Sequence, residues 1–182
     1  MHQRRTSDIS QMAKSALLIA MLCGASWFAI PVPFSPVVIS LHTIVVNLIG
    51  LLLSPRQAFT TVFIYLLMGM VGLPVFSGGA SAAVRLFSPV GGYYIGFLLS
   101  AWLISLTKGT KICFSRYVVV LLVCGVLTQH LCAVVYAVGC FGLSVTEAFL
   151  SISIPFLPMD IVKCIVSSAA AVAVKKAEKN RE

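Results

Sequence analysis

Apolar residues run through this chain in blocks of about 17–25, the length a helix needs to cross a bilayer. Short stretches rich in Pro, Gly or basic residues separate the blocks. The pattern predicts six helices, over about residues 12–30, 37–53, 57–71, 91–107, 117–141 and 155–174. Pro31, Pro33 and Pro36 forbid a continuous helix between the first two, and Ser54-Pro55-Arg56 makes a short turn before the third. The longest connection runs from Gly72 to Tyr93 and is apolar yet rich in Gly and Pro. Irregular backbone at a membrane is tolerated where it is buried in protein or lines a cavity. This connection between helices 3 and 4 therefore reads as an extracellular cap folded onto the bundle mouth. Its paired Gly78 and Gly79 allow close backbone approach to a ligand. No Gly-Lys-Ser/Thr follows, so it is not a phosphate loop.

Polar positions inside the apolar blocks are few, which makes each informative. Ser40, Thr43 and Asn47 follow helical spacing and give the second helix one polar face. His42 lies near that face, as either a helix–helix hydrogen bond or a ligand contact. A metal site does not fit, because His130 is the only other histidine in an apolar block and no carboxylate shares its segment. The last block holds the one acid–base pair inside an apolar segment, Asp160 and Lys163. Three residues apart, they share a helix face. Pro158 suits the first turn of that helix, and Asp160 two residues later profits from the helix dipole. Ionisable groups in a membrane segment are costly and mark a site by default. In the first block Ala16, Ala20 and Gly24 form a small-residue stripe that lets another helix approach closely. Contact within the bundle and docking to a partner membrane protein both fit this stripe.

Composition narrows the class. The 182 residues are 59% hydrophobic and 10% charged, with mean hydropathy +1.03. These values exclude an ordinary soluble domain and give an all-α membrane protein of one domain, residues 1–182. The net charge of +8 does not imply nucleic acid, because the basic residues stand at the edges of apolar blocks. The first block is too long for a signal peptide and lacks a small-x-small cleavage site. The six cysteines form no Cys-x-x-Cys and read as small hydrophobes.

Six spans put both termini on one side. Of the 13 Lys and Arg, all but Arg85 and Lys163 fall on that side, which the positive-inside rule makes cytoplasmic. The Gly-rich connection and the start of the last helix then face outward, with Lys163 roughly 8 Å into that helix. A small solute from outside would be caught there.

Three stretches at this mouth carry a resemblance: Gly72-Leu-Pro-Val-Phe-Ser-Gly-Gly79, Ser88-Pro-Val-Gly-Gly-Tyr93 and Pro155-Phe-Leu-Pro-Met-Asp160-Ile-Val-Lys163. With them the chain resembles, over nearly its whole length, BioY, the biotin-binding substrate (S) component of energy-coupling-factor (ECF) transporters. Where that family has Gly-Pro-Thr-Gly-Gly, Ser88 and Val90 stand here in place of Gly and Thr. The resemblance implies biotin uptake from outside through a six-helix S-component bundle in a bacterial cell membrane. It implies as partners an ECF transmembrane coupling protein and two ABC-type ATPase subunits, with ATP used by those subunits and no cofactor in this chain. It implies that Asp160 and Lys163 contact biotin, that Arg85 meets its carboxylate, and that Ala16 and Ala20 dock the coupling protein. Phe76, Tyr93 and Tyr136 are then candidates for apolar walls, with His42 where the family has a glutamine. Another vitamin or a biotin precursor is the alternative ligand. An intramembrane enzyme could call on Asp160, His42, His130 and Glu147, but there is no His-Glu-x-x-His, no Gly-x-Ser-x-Gly and no paired intramembrane carboxylate.

Overall fold

A computed structural model of the chain describes residues 2–31 and 38–180. The fold is almost wholly helical. The helices are α1 (His2–Ala25), α2 (His42–Leu52), α3 (Pro55–Met70), the single turn α4 (Ala82–Arg85) and α5 (Gly92–Thr107). After them come α6 (Phe114–Phe141), the short α7 (Val145–Ala148) and α8 (Leu157–Lys179). Within α6, Leu121–Leu127 widens into a π-helical stretch, and a second π turn, Phe149–Ser153, follows α7.

The expected breaks have local causes. Pro55 opens α3 at a position where its missing N–H costs nothing, and Ser54 with Gln57 forms a capping box. Pro158 occupies the first turn of α8, and Asp160 lies in that turn as an acidic residue. The second helix differs from its expected 37–53, because Val38–Ser40 is a strand (β2) paired antiparallel with Ala29–Pro31 (β1). The first helix accordingly stops at Ala25 rather than 30. Pro33 and Pro36, expected to break the chain here, lie outside the described residues. The ribbon shortens α2 to 11 residues, about 16 Å, so that its N-terminus stops short of the bundle end and leaves a hollow there.

Central in the bundle is α5, which packs against α2, α3 and α6. Close approach to α6 requires Gly92, where an added Cβ would lie 2.5 Å from the Cys132 carbonyl oxygen. A hydrogen bond from Gln129 Nε2 to Ser100 Oγ, 3.0 Å, ties the same two helices. At the other end Lys108 Nζ donates to the carbonyls of Gly50 (3.1 Å) and Leu53, closing the C-terminus of α2.

Polarity is distributed the reverse of a soluble protein. His42, Asn47, Ser100, Gln129, Asp160 and Lys163 are buried. Val119, Val123, Leu127, Leu131 and Val135, four apart along α6, are all exposed. An apolar outside around a polar inside is stable only in an apolar solvent. By length and composition α6 and α8, 28 and 23 residues, are long and apolar enough to cross a membrane.

Gly92→Val should therefore destabilise the bundle by about 1–3 kcal/mol through overpacking against α6. Gly24→Val, with open space around the added Cβ, should leave stability unchanged. Thermal unfolding of both variants in detergent checks the contrast.

Candidate functional site

The hollow left by the short α2 is the mouth of a pocket that is partly open to solvent. Ser40 and Thr43 line it from β2 and α2, and Ser77 and Arg85 from the Gly-rich connection. Tyr93, Tyr94 and Phe97 come from α5, and Phe156, Asp160 and Lys163 from the start of α8. An aromatic wall thus faces a charged one across a space suited to a small organic molecule.

The charged wall is closely built. Asp160 and Lys163 are 6% and 5% exposed, and Lys163 Nζ donates to Asp160 Oδ1 at 3.0 Å. The second carboxylate oxygen, Oδ2, is 3.0 Å from His130 Nε2 on α6. On the far side of that imidazole, Nδ1 is 2.9 Å from the Tyr93 hydroxyl, which donates to the Ile152 carbonyl in the π turn at 2.6 Å. Four elements thus meet through one carboxylate. Lys163 is held further by its helix, where Ser167 Oγ donates to the Lys163 carbonyl at 2.7 Å.

The connection above the pocket is anchored from below. Phe76 and Ala80 bond to each other, and Gly78 and Gly79 turn between them at φ +79° and +66°, a backbone region that favours glycine. Tyr65 donates to the Val75 carbonyl at 2.9 Å. His42 Nε2 faces that same carbonyl at 3.4 Å, so Nε2 carries the proton and Nδ1 accepts from Ser77 Oγ, also 3.4 Å away. Tyr94 holds Ser77 through its hydroxyl, which accepts from the Ser77 N–H at 3.2 Å. Arg85 reaches back over the turn, donating from Nε to the Ser77 carbonyl at 3.0 Å.

Of the residues singled out in the sequence, Asp160, Lys163, Arg85 and Tyr93 meet in the pocket. His42 is fully buried beneath the connection and supports it from outside the lining. Phe76 is fully buried against Tyr65 and Tyr94, and Tyr136 donates to the Leu86 carbonyl at 2.7 Å, outside the lining as well. Gly78 and Gly79 form the turn above without lining the pocket, the Gly78 N–H donating to the Ser26 carbonyl at 2.9 Å. The aromatic wall is instead Tyr93, Tyr94, Phe97 and Phe156. His130 was missed as a partner of Asp160, since 30 positions separate the two and no periodicity links them. Ala16, Ala20 and Gly24 are exposed along α1. Glu147 serves as a cap: Ser144 Oγ and N–H donate to its Oε2 at 2.7 and 3.0 Å, holding its carboxyl below the usual range. Among the described residues no group of three His, Cys, Asp or Glu is arranged to hold a metal ion.

Residues 1–180 match the BioY family. The biotin transporter BioY of Thermotoga maritima is 32% identical over 176 residues, covering 94% of this chain and 99% of that one. The probable biotin transporters BioY of Pyrococcus horikoshii and Rickettsia prowazekii are each 32% identical, covering 92% and 76% of this chain and 96% and 71% of theirs. In fold, the chain is similar to a crystal structure of the S-component for biotin from an ECF-type ABC transporter. The TM-score is 0.82 at 24% identity, over 94% of this chain and 93% of that one.

Asp160→Leu should destabilise the apo protein by about 3–5 kcal/mol, because it leaves buried Lys163 without its counter-charge. Asp160→Leu combined with Lys163→Met should recover most of that loss. Thermal unfolding of the single and double variants without ligand checks the cycle.

Proposed function

The chain belongs to the BioY family, and on that premise we propose that it binds biotin in the pocket between α5 and α8 and serves biotin uptake as an S component. It is a membrane transporter component and not an enzyme. The single observation that carries the site is the buried Asp160–Lys163 pair opening onto an aromatic-walled pocket.

The chemistry of the ligand suits these groups. A ureido ring presents two N–H donors and one carbonyl acceptor. Asp160 accepts from the N–H groups, and Lys163 donates to the carbonyl. The thioether ring and valeryl chain lie along Tyr93, Phe97 and Phe156. Arg85, partly exposed and held over the pocket by Ser77, takes the carboxylate at the mouth. The Gly72–Tyr93 connection acts as the cap over the bound ligand, with Gly78 and Gly79 permitting its tight turn.

Six spans, α1, α2, α3, α5, α6 and α8, cross a bacterial cell membrane, with both termini in the cytoplasm. The excess of Lys and Arg on the terminal side supports that orientation. The exposed stripe of Ala16, Ala20 and Gly24 on α1 docks an ECF transmembrane coupling protein, and two ABC-type ATPase subunits supply the energy. ATP is theirs, and this chain carries no cofactor of its own.

Calorimetry on the detergent-purified chain, with thiamine and riboflavin as controls, tests the ligand. Selective biotin binding is the expected result, and a well-folded sample that ignores biotin overturns it. Asp160→Asn and Lys163→Met should each weaken binding at least about tenfold, since the first leaves buried Lys163 without its counter-charge and the second leaves Asp160 with His130 alone. Arg85→Ala should weaken biotin about tenfold but leave biotinamide, which lacks the carboxylate, nearly unaffected. Ala20→Leu should retain biotin binding while abolishing co-purification with the coupling protein, because the bulkier side chain blocks close helix approach.

A further inference from the structure

Tyr94 walls the pocket, but a wall accounts for only half of its side chain. The ring is 4% exposed and packs on Phe76 and Phe97, with centroids 4.4 and 5.5 Å away. An apolar wall needs no hydroxyl, and a buried hydroxyl needs partners. Those partners are both on Ser77. The phenol oxygen accepts from the Ser77 N–H at 3.2 Å and gives its own proton to Ser77 Oγ at 3.4 Å. A phenylalanine would fill the same space and make neither bond.

The two peptide units that flank Ser77 have four polar groups, and each has a partner. The Phe76 carbonyl accepts from the Ala80 N–H at 3.2 Å, and the Ser77 N–H goes to Tyr94. The Ser77 carbonyl accepts from Arg85 Nε at 3.0 Å. The Gly78 N–H donates to the Ser26 carbonyl, just beyond α1, at 2.9 Å. Among the described residues, Tyr94 is the one side chain from a long helix bonded to these two units, and it ties them to the central α5. Where the Ser77 carbonyl stands also decides how Arg85 is aimed. The guanidinium is planar and rigid, so a bond at Nε sets the plane of the two terminal nitrogens. Among the described residues Nε is the only Arg85 nitrogen with an acceptor, which leaves the terminal N–H groups for a ligand.

We propose that Tyr94 is a positioning residue for the ligand's carboxylate: its hydroxyl holds the Ser77 backbone, and Ser77 in turn aims the Arg85 guanidinium over the pocket. The proposal rests on the biotin reading above, in which Arg85 takes the carboxylate. Bidentate recognition of a carboxylate depends on angle as well as charge. A guanidinium whose carbonyl anchor shifts therefore keeps its charge and loses affinity. The Tyr94 ring serves any ligand of the right shape, whereas its hydroxyl serves only one with an anion at the mouth. Preference for acid over amide thus depends on a residue of α5 that does not touch the acid.

Biotin and biotinamide are titrated against wild type, Tyr94→Phe, Arg85→Ala and the double variant. Tyr94→Phe keeps the ring and its packing. It should weaken biotin about tenfold and leave biotinamide within about twofold. Added to Arg85→Ala it should cost nothing further, because both changes act through one contact. Without ligand, backbone hydrogen exchange over residues 75–79 should be faster in Tyr94→Phe than in wild type. Equal loss of both ligands would put the hydroxyl on the ligand itself and overturn the proposal. Wild-type affinity, additive losses in the double variant or unchanged exchange would overturn it too. A wild-type chain that ignores biotin, or an Arg85→Ala variant that treats acid and amide alike, removes the reading beneath the proposal and the proposal with it. Failure confined to the Tyr94→Phe variant leaves that reading standing.

Discussion

A single buried carboxylate organises this protein. Asp160 sits in the first turn of α8 with an ammonium on one oxygen and an imidazole on the other. Removing charges from water costs several kcal/mol per ion, and the loss is recovered only where partners and geometry are good. That requirement reaches well beyond the site. It fixes the rotation of α8 and the height of α6 against each other through His130. Through Tyr93 and the Ile152 carbonyl it also fixes the placement of α5 against the π turn. A purely apolar core would hold the helices together without specifying their register so tightly. The ionic cluster is better understood as specifying geometry, and the geometry it specifies is a pocket.

The second constraint is the solvent. The outer face of α6 exposes valine and leucine at every turn, whereas the interior holds serine, asparagine, glutamine and histidine. In lipid, apolar residues gain nothing by facing inward, so helix contacts rely on close backbone approach and internal hydrogen bonds. Gly92 against α6 and Gln129 to Ser100 are those two devices side by side. The same logic explains the connection above the pocket. Its backbone is irregular, and its carbonyls at Val75 and Ser77 are met by Tyr65, His42 and Arg85. Side chains from α2 and α3 and from the connection itself thus provide the donors that water would provide elsewhere.

Function follows from where these two constraints meet. The β1–β2 ribbon takes the residues that would have continued α2 upward, and the space so released becomes the mouth. Ser40 and Thr43 line it because they stand at that truncated end. A charged wall, an aromatic wall and a guanidinium near the rim then face one another. Each suits a different part of a small molecule that is part urea, part hydrocarbon and part carboxylate.

Much of this was legible in the chain. The apolar blocks give membrane helices because their length matches a bilayer. The family could be read from short stretches whose Gly, Pro, Asp and Lys positions are locally constrained. Asp160 and Lys163 were readable as a pair because an interval of three residues places two side chains on one helix face whatever the rest of the protein does. His42 could be seen to matter, but its service to the Val75–Ser77 backbone could not. Tertiary structure alone decided the remainder. His130 reaches Asp160 only because α6 lies against the start of α8 at one height and rotation. Tyr94, Phe97 and Phe156, rather than Phe76 and Tyr136, complete the wall for the same reason, since helix rotation determines which aromatic faces the hollow. The start of α2 depended on strand pairing of Val38–Ser40 with Ala29–Pro31. Local spacing along one helix is written in the sequence, whereas the facing of separate helices is the outcome of all their contacts at once.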